Sequence, residues 1–451
     1  MEREFEYDFE RLLELLESRN YRELKAALAD ENEVDIADFI ERLPQEKATV
    51  CFRTLPKELG AEVFSNLPTE TQQVIIGSIT DNELTEIVED LFVDDAVDML
   101  EELPANVVKR VLKNAKPETR QLINQFLNYP ENSVGSIMTA EFIDLRKTMT
   151  VSDAIKRIRR TGEDCESIYT CYVMDNSRCL EGVVTVRELL LASDDDIIGS
   201  LMEPDVITAL TTDDREEAVQ RMMKYDFITM PVVDHENRLV GIVTVDDVMD
   251  VMEEEATEDF EKMAAMAPSE KPYLKTNVFA LAKNRIVWLL VLMISGMITG
   301  GILGRYEAAF AIMPMLVTFI PMLTDTGGNA GSQSSTLIIR GMAIGDITPK
   351  DFFKVLWKEL RVSLLVGVVL SLVNFVRLVI TYPGNEMIAF TVAIALLATV
   401  VMAKTIGGVL PMAAKLLHAD PAIMAAPLIT TIVDAFSLII YFNVAQALLH
   451  L

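Results

Sequence analysis

The sequence predicts a multidomain protein. An α-superhelical domain is expected over residues 1–131, an α/β tandem of two similar modules over 132–252, and an all-α transmembrane domain of five helices over 276–451, with a connecting helix at 253–275. Three observations carry this reading. Of the 69 acidic and 40 basic residues, only 8 and 13 lie in residues 271–451, which leaves 61 acids against 27 bases, a charge of −34, in residues 1–270. Leu-Pro pairs recur on a 12-residue period between residues 43 and 104, and residues 286–449 are dominated by long apolar runs with few charges.

A surface at −34 repels nucleic acid and repels itself, and it gains compactness from a divalent cation that neutralises it. No nucleic-acid partner is expected, and a cation-responsive membrane protein is. Residues 1–30 are charged and helix-like, without the apolar run of a signal peptide, so the acidic half is expected in the cytoplasm. Cys51, Cys165, Cys171 and Cys179 all lie in that half and form no CxxC pair. They read as reduced thiols rather than as a metal or redox site. His235, His418 and His450 are the chain's only histidines, so any metal chemistry has to be oxygen chemistry. No P-loop, nucleophile constellation or catalytic histidine points to an enzyme.

In the first domain Leu43-Pro44, Leu55-Pro56, Leu67-Pro68 and Leu103-Pro104 share one register, with Ile79 and Leu91 filling the two intermediate apolar slots. Proline at a first helical position, followed by acids such as Glu46 and Glu70, marks helix starts. The segment is therefore a stack of short helices. Asp94, Asp95, Asp98, Glu101 and Glu102 fall in one helical stretch and are expected on its exposed face.

In the second domain a stretch beginning SIMTAEF returns as one beginning SLMEPDV. Strand-like runs at 172–174 and 232–233 precede Asp-Asn and His-Glu-Asn turns, then a further strand, then a helix, which gives two β-α-β-β-α modules. The tandem resembles a pair of cystathionine-β-synthase-type (CBS) domains, through the tails GVVTVRE at 182–188 and GIVTVDD at 241–247. That resemblance implies a regulatory module binding an adenine nucleotide such as ATP, with Asp247 as the ribose-binding acid, Glu188 as its longer counterpart, and Arg187 and Phe227 lining the cleft. From Asp246 to Met266 the pattern is helical and acidic, with Glu253, Glu254, Glu255, Glu258, Asp259 and Glu261, until Pro268 and Pro272 interrupt it.

In the last domain the five expected spans are 286–304, 308–339 with Asp325, 362–382 with Arg377, 387–403 running on past Lys404, and 422–449 with Asp434. Lys271, Lys275, Lys283 and Arg285 precede the first span. Arg340, Lys350, Lys354, Lys358 and Arg361 lie between the second and third, and the opposite loops offer Arg305 and Arg377. This bias places the amino terminus inside and the carboxy terminus outside. Residues 321–335, PMLTDTGGNAGSQSS, put three glycines and a proline inside the second span, which is expected to weaken the helix there and expose backbone carbonyls to a pore or substrate site. Asp434, the one charge in its span, is costly in lipid and has to face a partner or water, and Asp420 beside Pro421 is a second acid at the cytoplasmic entrance.

The domain order and the strings GIVTVDDVMDVMEEEATED, GGNAGSQSSTLIIR and DPAIMAAPLITTIVDAFSLIIYF resemble the MgtE family of magnesium transporters and channels over essentially the whole chain. The resemblance implies a homodimer, multi-pass in the plasma (inner) membrane among its lipids, that takes up Mg²⁺ for magnesium homeostasis. It implies that Asp434 binds hydrated Mg²⁺ in the pore. It implies that Asp94, Asp98, Asp214, Glu216, Asp226, Asp247 and Asp250, with Glu255, Glu258 and Asp259 on a plug helix, bind regulatory Mg²⁺ that holds the pore shut. The chain departs from the family pattern at Asp325 and Ala426. Two other functions stay open on sequence grounds. One is a Na⁺- or H⁺-driven carrier with Asp325, Asp420 and Asp434 as a proton relay, and the other is a membrane-anchored nucleotide or metal sensor.

Overall fold

The computed structural model describes residues 2–269, 273, 274, 276–424 and 426–450, and the chain divides into two units, Met1–Val251 and Met252–Leu451. Lys271, Pro272 and Lys275 lie outside the described residues.

The first unit begins with ten helices: α1 (Glu2–Glu17), α2 (Tyr21–Leu28), α3 (Glu33–Glu41), α4 (Gln45–Phe52), α5 (Lys57–Ser65), α6 (Thr69–Ser78), α7 (Asp81–Asp90), α8 (Val93–Glu102), α9 (Ala105–Asn114) and α10 (Pro117–Phe126). Helices two places apart pack on one another, α3 on α5, α4 on α6, α5 on α7, α7 on α9 and α8 on α10, which makes a two-layered superhelix. The 12-residue period is its core register. Leu43, Leu55, Leu67, Ile79 and Leu103 are all buried, and Leu91 packs against them. The prolines sit one place earlier than expected. Pro44, Pro56, Pro68 and Pro104 have extended ψ angles of 141–152° and occupy the N-cap, and among these ten helices only Pro117 stands at a first helical position.

Two modules follow. The first is β1 (Phe142–Leu145), α11 (Val151–Thr161), β2 (Ser167–Met174), β3 (Leu180–Thr185), α12 (Val186–Leu191). After α13 (Ile198–Leu201) comes the second, β4 (Ala209–Leu210), α14 (Arg215–Tyr225), β5 (Thr229–Val233), β6 (Leu239–Thr244), α15 (Val245–Met263). Each sheet pairs its first two strands parallel and its last two antiparallel, in the predicted order. The modules also exchange their leading segments. Thr139 bridges to Ile242 of the second module, and Glu203 bridges to Val183 of the first. Gly241 and Gly182 permit these crossings, since a Cβ there would meet the Thr139 carbonyl oxygen at 2.5 Å and the Glu203 carbonyl oxygen at 2.8 Å.

In the second unit the apolar helices are α16 (Val278–Arg305), α17 (Glu307–Ile312), α18 (Ile320–Ala343), α19 (Phe352–Thr381), α20 (Glu386–Leu416) and α21 (Ala426–Leu449). Helices α18, α20 and α21 pack on one another at the centre, with α19 against α20 and α16 against α21. Among the described residues four helices are long and apolar enough to cross a membrane: α16, α19 with the turn before it, α20 and α21. Helix α18, in the expected second span, is long enough at 24 residues but carries too many polar side chains to count with them.

Helix α18 also corrects the expectation of a broken backbone. The break lies at Pro314–Phe319, a short 3-10 turn between α17 and α18, whereas the glycines continue inside α18. Their role is close packing. A Cβ on Gly331 would meet Ile429 at 2.8 Å and the Ala403 carbonyl oxygen at 3.1 Å, and one on Gly407 would meet the Gly331 carbonyl oxygen at 2.2 Å. Small residues let the backbones of α18 and α20 touch, as in other helix pairs packed within membranes.

Candidate ion path and acidic clusters

In the first unit, six carboxylates collect where α8 meets the modules. Asp94 and Asp95 lie in the first turn of α8, and Asp246 and Asp247 in the first turn of α15. Glu141 follows the segment that crosses Gly241, and its carboxylate accepts from the Thr139 hydroxyl at 2.7 Å and the Ala140 N–H at 2.9 Å. Glu166 is tied to it by its own N–H, which donates to the Glu141 carbonyl at 3.0 Å. Asp94 is buried, not on an exposed face as its acidic run suggests.

Burial, and after it the charges of Asp247, Asp95 and Glu166, pushes Asp94 well above the usual carboxylate range. Burial followed by Asp246 and Glu141 brings Asp95 to about 6, and burial followed by Asp247 and Asp246 brings Glu166 to about 7. Asp247 rises to about 6 through burial, although the Thr244 hydroxyl and N–H, which donate to its carboxylate, oppose the rise. These are acids held together against their charge. Among the described residues no three of them already converge as ready-made ligands. Mg²⁺ keeps most of its waters and needs only one or two carboxylates, so the donor set fits a hydrated divalent ion.

The other cytosolic residues named from sequence are placed differently. Asp98 and Asp250 are exposed one turn beyond Asp94 and Asp247 on their helices. Asp214 is the N-cap of α14, accepting from the Glu216 N–H at 2.8 Å, and Asp226 closes the same helix in a left-handed conformation with φ of 54°. Glu188 caps α12, accepting from the Thr185 N–H at 2.7 Å and hydroxyl at 2.8 Å, and so stands to the first module as Asp247 does to the second. Arg187 is exposed, and Phe227 stacks on Tyr225 at 5.6 Å. Among the described residues no hydrogen bond or ion pair joins Arg187 to Glu188 or Asp247.

In the second unit the end of α15 is bonded to the start of the last span. The ammonium of Lys262, the one base in that acidic helix, lies 2.6 Å from Glu258 and 2.6 Å from Asp420. Burial opposes its charge, but the hydrogen bonds to Asp420 and Glu258 outweigh this and raise its pKa. Asp420 also accepts from the Ala422 N–H at 2.8 Å, and Met263 packs with Ile339 and Ala422. Asp259 is pushed up by burial and then by the charge of Asp420, with Lys262 opposing and Glu255 and Glu258 adding to the rise. The helix is thus α15 to Met263, and Pro268 lies beyond it, outside helix and strand, its carbonyl accepting from the Asn284 side chain at 3.2 Å.

Within the bundle Asp434 is half-buried on α21, and its charged neighbour is Asp325 of α18. Asp325, Asn329, Gln333, Thr336 and Arg340 are all exposed, and at 100° per residue they share one arc of α18 about 80° wide. A polar stripe on a helix surrounded by apolar spans cannot face lipid, so it borders water or another protein surface. Gly328, against Thr430 of α21, brings this stripe alongside Asp434. Asp420 stands apart, engaged by Lys262, so the expected relay of Asp325, Asp420 and Asp434 is not contiguous.

Sequence reasoning did not single out Glu141, Glu166, Lys262, Lys404 or Glu359 as site residues. A lone base in an acidic helix and a lone charge inside an apolar one were the available signals for Lys262 and Lys404. Nothing local marks Glu141 or Glu166, which the fold alone brings together.

These features define a polytopic membrane protein preceded by a helical superhelix and a CBS pair. Residues 31–132 match the family described as the MgtE intracellular N domain, residues 134–195 and 198–254 match CBS domains, and residues 320–444 match MgtE, a divalent cation transporter. The chain is 36% identical over 443 residues to the magnesium transporter MgtE of Thermus thermophilus, covering 97% of this chain and 98% of that one. It is 31% identical over 440 residues to that of Bacillus subtilis, covering 98% and 97%. Among solved structures, the soluble part of a magnesium transporter aligns with a TM-score of 0.54 and 28% identity, over 56% of this chain and 99% of that one. The cytosolic domain of the Mg²⁺ channel MgtE in complex with ATP aligns with a TM-score of 0.51 and 37% identity, over 53% and 98%. This chain belongs to the MgtE family.

The crowded carboxylates predict a pH dependence of definite sign. A carboxyl whose pKa is raised on folding, from an unfolded value near 4 to a folded value near 6–7, removes stability as pH rises through that window. Without divalent cations, the calorimetric unfolding midpoint of residues 1–251 is expected to fall between about pH 5.5 and about pH 7.5. Asp94→Asn is expected to raise the midpoint at the upper pH by a few degrees and to flatten the slope. A flat wild-type profile, or a lower midpoint in the variant, contradicts the crowding.

Proposed function

We propose that this chain is a Mg²⁺-selective transporter of channel type, self-inhibited by cytosolic Mg²⁺. The observation that carries the reading is the polar stripe of α18, Asp325 included, beside Asp434, among spans whose exposed side chains are largely apolar. A stripe exposed in one chain becomes the wall of a shared path when a second copy meets it about a two-fold axis, and this supports a homodimer. Two Asp434 and two Asp325 side chains then supply four negative charges with no thiolate or imidazole. Such a donor set suits a hydrated hard cation. The excess of bases at the cytoplasmic approaches supports insertion in the plasma (inner) membrane with the amino-terminal domains in the cytoplasm.

Gating follows from the same electrostatics. Mg²⁺ between α8 and α15 replaces repulsion among Asp94, Asp95, Glu166 and Asp247 by attraction, and Asp98 and Asp250 extend the two faces. On the end of α15, Glu255, Glu258 and Asp259 beside Asp420 form a second acidic group, where Mg²⁺ strengthens the hold that Lys262 already provides. Asp214, Glu216 and Asp226 lie at the two ends of α14, where a cation would bind helix-terminal carboxylates. ATP in the CBS pair, between Arg187, Phe227 and the capping acids Glu188 and Asp247, is supported by the solved relative that holds it. Because both ligands would use Asp247, nucleotide and Mg²⁺ are coupled.

Two experiments test these readings. Asp434→Ala is expected to abolish Mg²⁺ uptake into proteoliposomes while leaving the protein folded, with Asp434→Asn nearly as severe because the amide keeps shape and loses charge. Wild-type uptake in both variants removes Asp434 from the path. Calorimetric titration of residues 1–270 with ATP is expected to give saturable heat that Asp247→Ala weakens, and no heat at millimolar ATP ends the nucleotide assignment.

A further inference from the structure

Helix α20 carries one charge away from its ends, Lys404, and that side chain is only 5% exposed. Its ammonium lies 3.4 Å from the Ser334 hydroxyl and 3.5 Å from the Gln333 side-chain carbonyl, both on α18. The Ser334 hydroxyl in turn donates to a Glu359 carboxylate oxygen on α19 at 2.6 Å. A buried ammonium and a carboxylate are thus joined through one hydroxyl across three helices. The small residues described above make room for them: Gly331 and Gly407 bring α18 onto α20, and a Cβ at Gly408 would meet Glu359 Cγ at 2.9 Å.

Gln333 belongs to the exposed polar stripe, so Lys404 sits one side chain behind the wall of the proposed path. Along α18, Gln333 is eight residues from Asp325, about 12 Å at 1.5 Å per residue, toward the cytoplasmic end. A cation leaving the Asp434 level for the cytoplasm passes this point. Two opposite charges behind the wall leave the potential there near neutral. If either were missing, the other would act on the ion through a low-dielectric wall, and twice as strongly on a divalent ion as on a monovalent one.

We propose that the Lys404–Ser334–Glu359 relay is a charge-balancing element of the ion path. Lys404 offsets Glu359, so that a divalent ion released from Asp434 is neither trapped nor repelled at the Gln333 level. This rests on the reading of the α18 stripe as the path. Lys404 acts on the ion through its field and through Gln333, so it is a positioning residue. A relay that only ties three helices together would show no dependence on the sign of the charge removed.

The test measures half-saturating external Mg²⁺ and maximal uptake rate for the full chain in proteoliposomes that start free of internal Mg²⁺. Lys404→Met leaves Glu359 unbalanced and is expected to lower the half-saturating concentration by about tenfold, with a slower maximal rate from a more tightly held ion. Glu359→Gln leaves Lys404 unbalanced and shifts half-saturation the opposite way. The double variant K404M/E359Q restores neutrality and returns half-saturation to within about twofold of the wild type. Lys404→Arg, which keeps the charge, rescues the wild-type value. Shifts in the same direction for both single variants, no shift in either, or a double variant worse than both overturn the proposal, and so does Lys404→Arg behaving like Lys404→Met. If Asp434→Ala still abolishes uptake in that case, the path reading survives and only the relay falls. If wild-type liposomes take up no Mg²⁺, the path reading itself fails.

Discussion

A carboxylate withdrawn from water has to find a cation, a proton or a set of donors, and the acids of this chain meet that constraint in different ways. Asp420 has Lys262, and Glu359 has Lys404 through Ser334. Asp214 and Glu188 have helix N-termini, where backbone N–H groups satisfy them. Asp94, Asp95, Glu166 and Asp247 are instead pressed against further acids, and Asp434 has Asp325 as its charged neighbour. The unbalanced groups are the ones the proposed function uses. Where no fixed cation answers the charge, a diffusible one can.

Backbone contact is what allows this arrangement in the membrane unit. Gly327, Gly328 and Gly331 on α18 meet Thr399, Val433, Thr430, Ile429 and the backbone of α20 at distances no larger side chain would permit. The glycines leave α18 helical, and they fix its rotation so that the apolar and small residues are buried while Asp325, Asn329 and Gln333 point away from the chain's own core.

Much of this was legible in the residues. The 12-residue Leu-Pro register gave the buried positions of the superhelix because a proline cap and a buried leucine must recur together when short helices stack. The repeated GVVTV and GIVTV tails gave both sheets, and their glycines turned out to be sites of close backbone crossing. What stayed hidden depends on contacts distant in sequence. The exchange of leading segments between modules brings Glu141 against Asp95 and Glu166, a meeting that no local pattern encodes. The glycines of 321–335 have two physical readings, a weakened helix or a closely packed one, and only the neighbours on α20 and α21 decide between them. Lys404 drew no role from the sequence because its partners Ser334 and Glu359 belong to other helices.

In the proposed function, Mg²⁺ supplies the missing positive charge of the acidic half and thereby closes the path. Several bridged sites acting together have to provide roughly 5.5 kcal/mol to move a two-state gate from 1:99 to 99:1, which makes closure cooperative. Open probability in planar bilayers, with Mg²⁺ as the carrier of current at fixed voltage and fixed external Mg²⁺, reads this gate as internal Mg²⁺ is raised. A steep fall with a Hill coefficient above one is expected, shifted to higher Mg²⁺ when Asp94 and Asp247 are both replaced by asparagine. An open probability that stays flat across internal Mg²⁺ would contradict it.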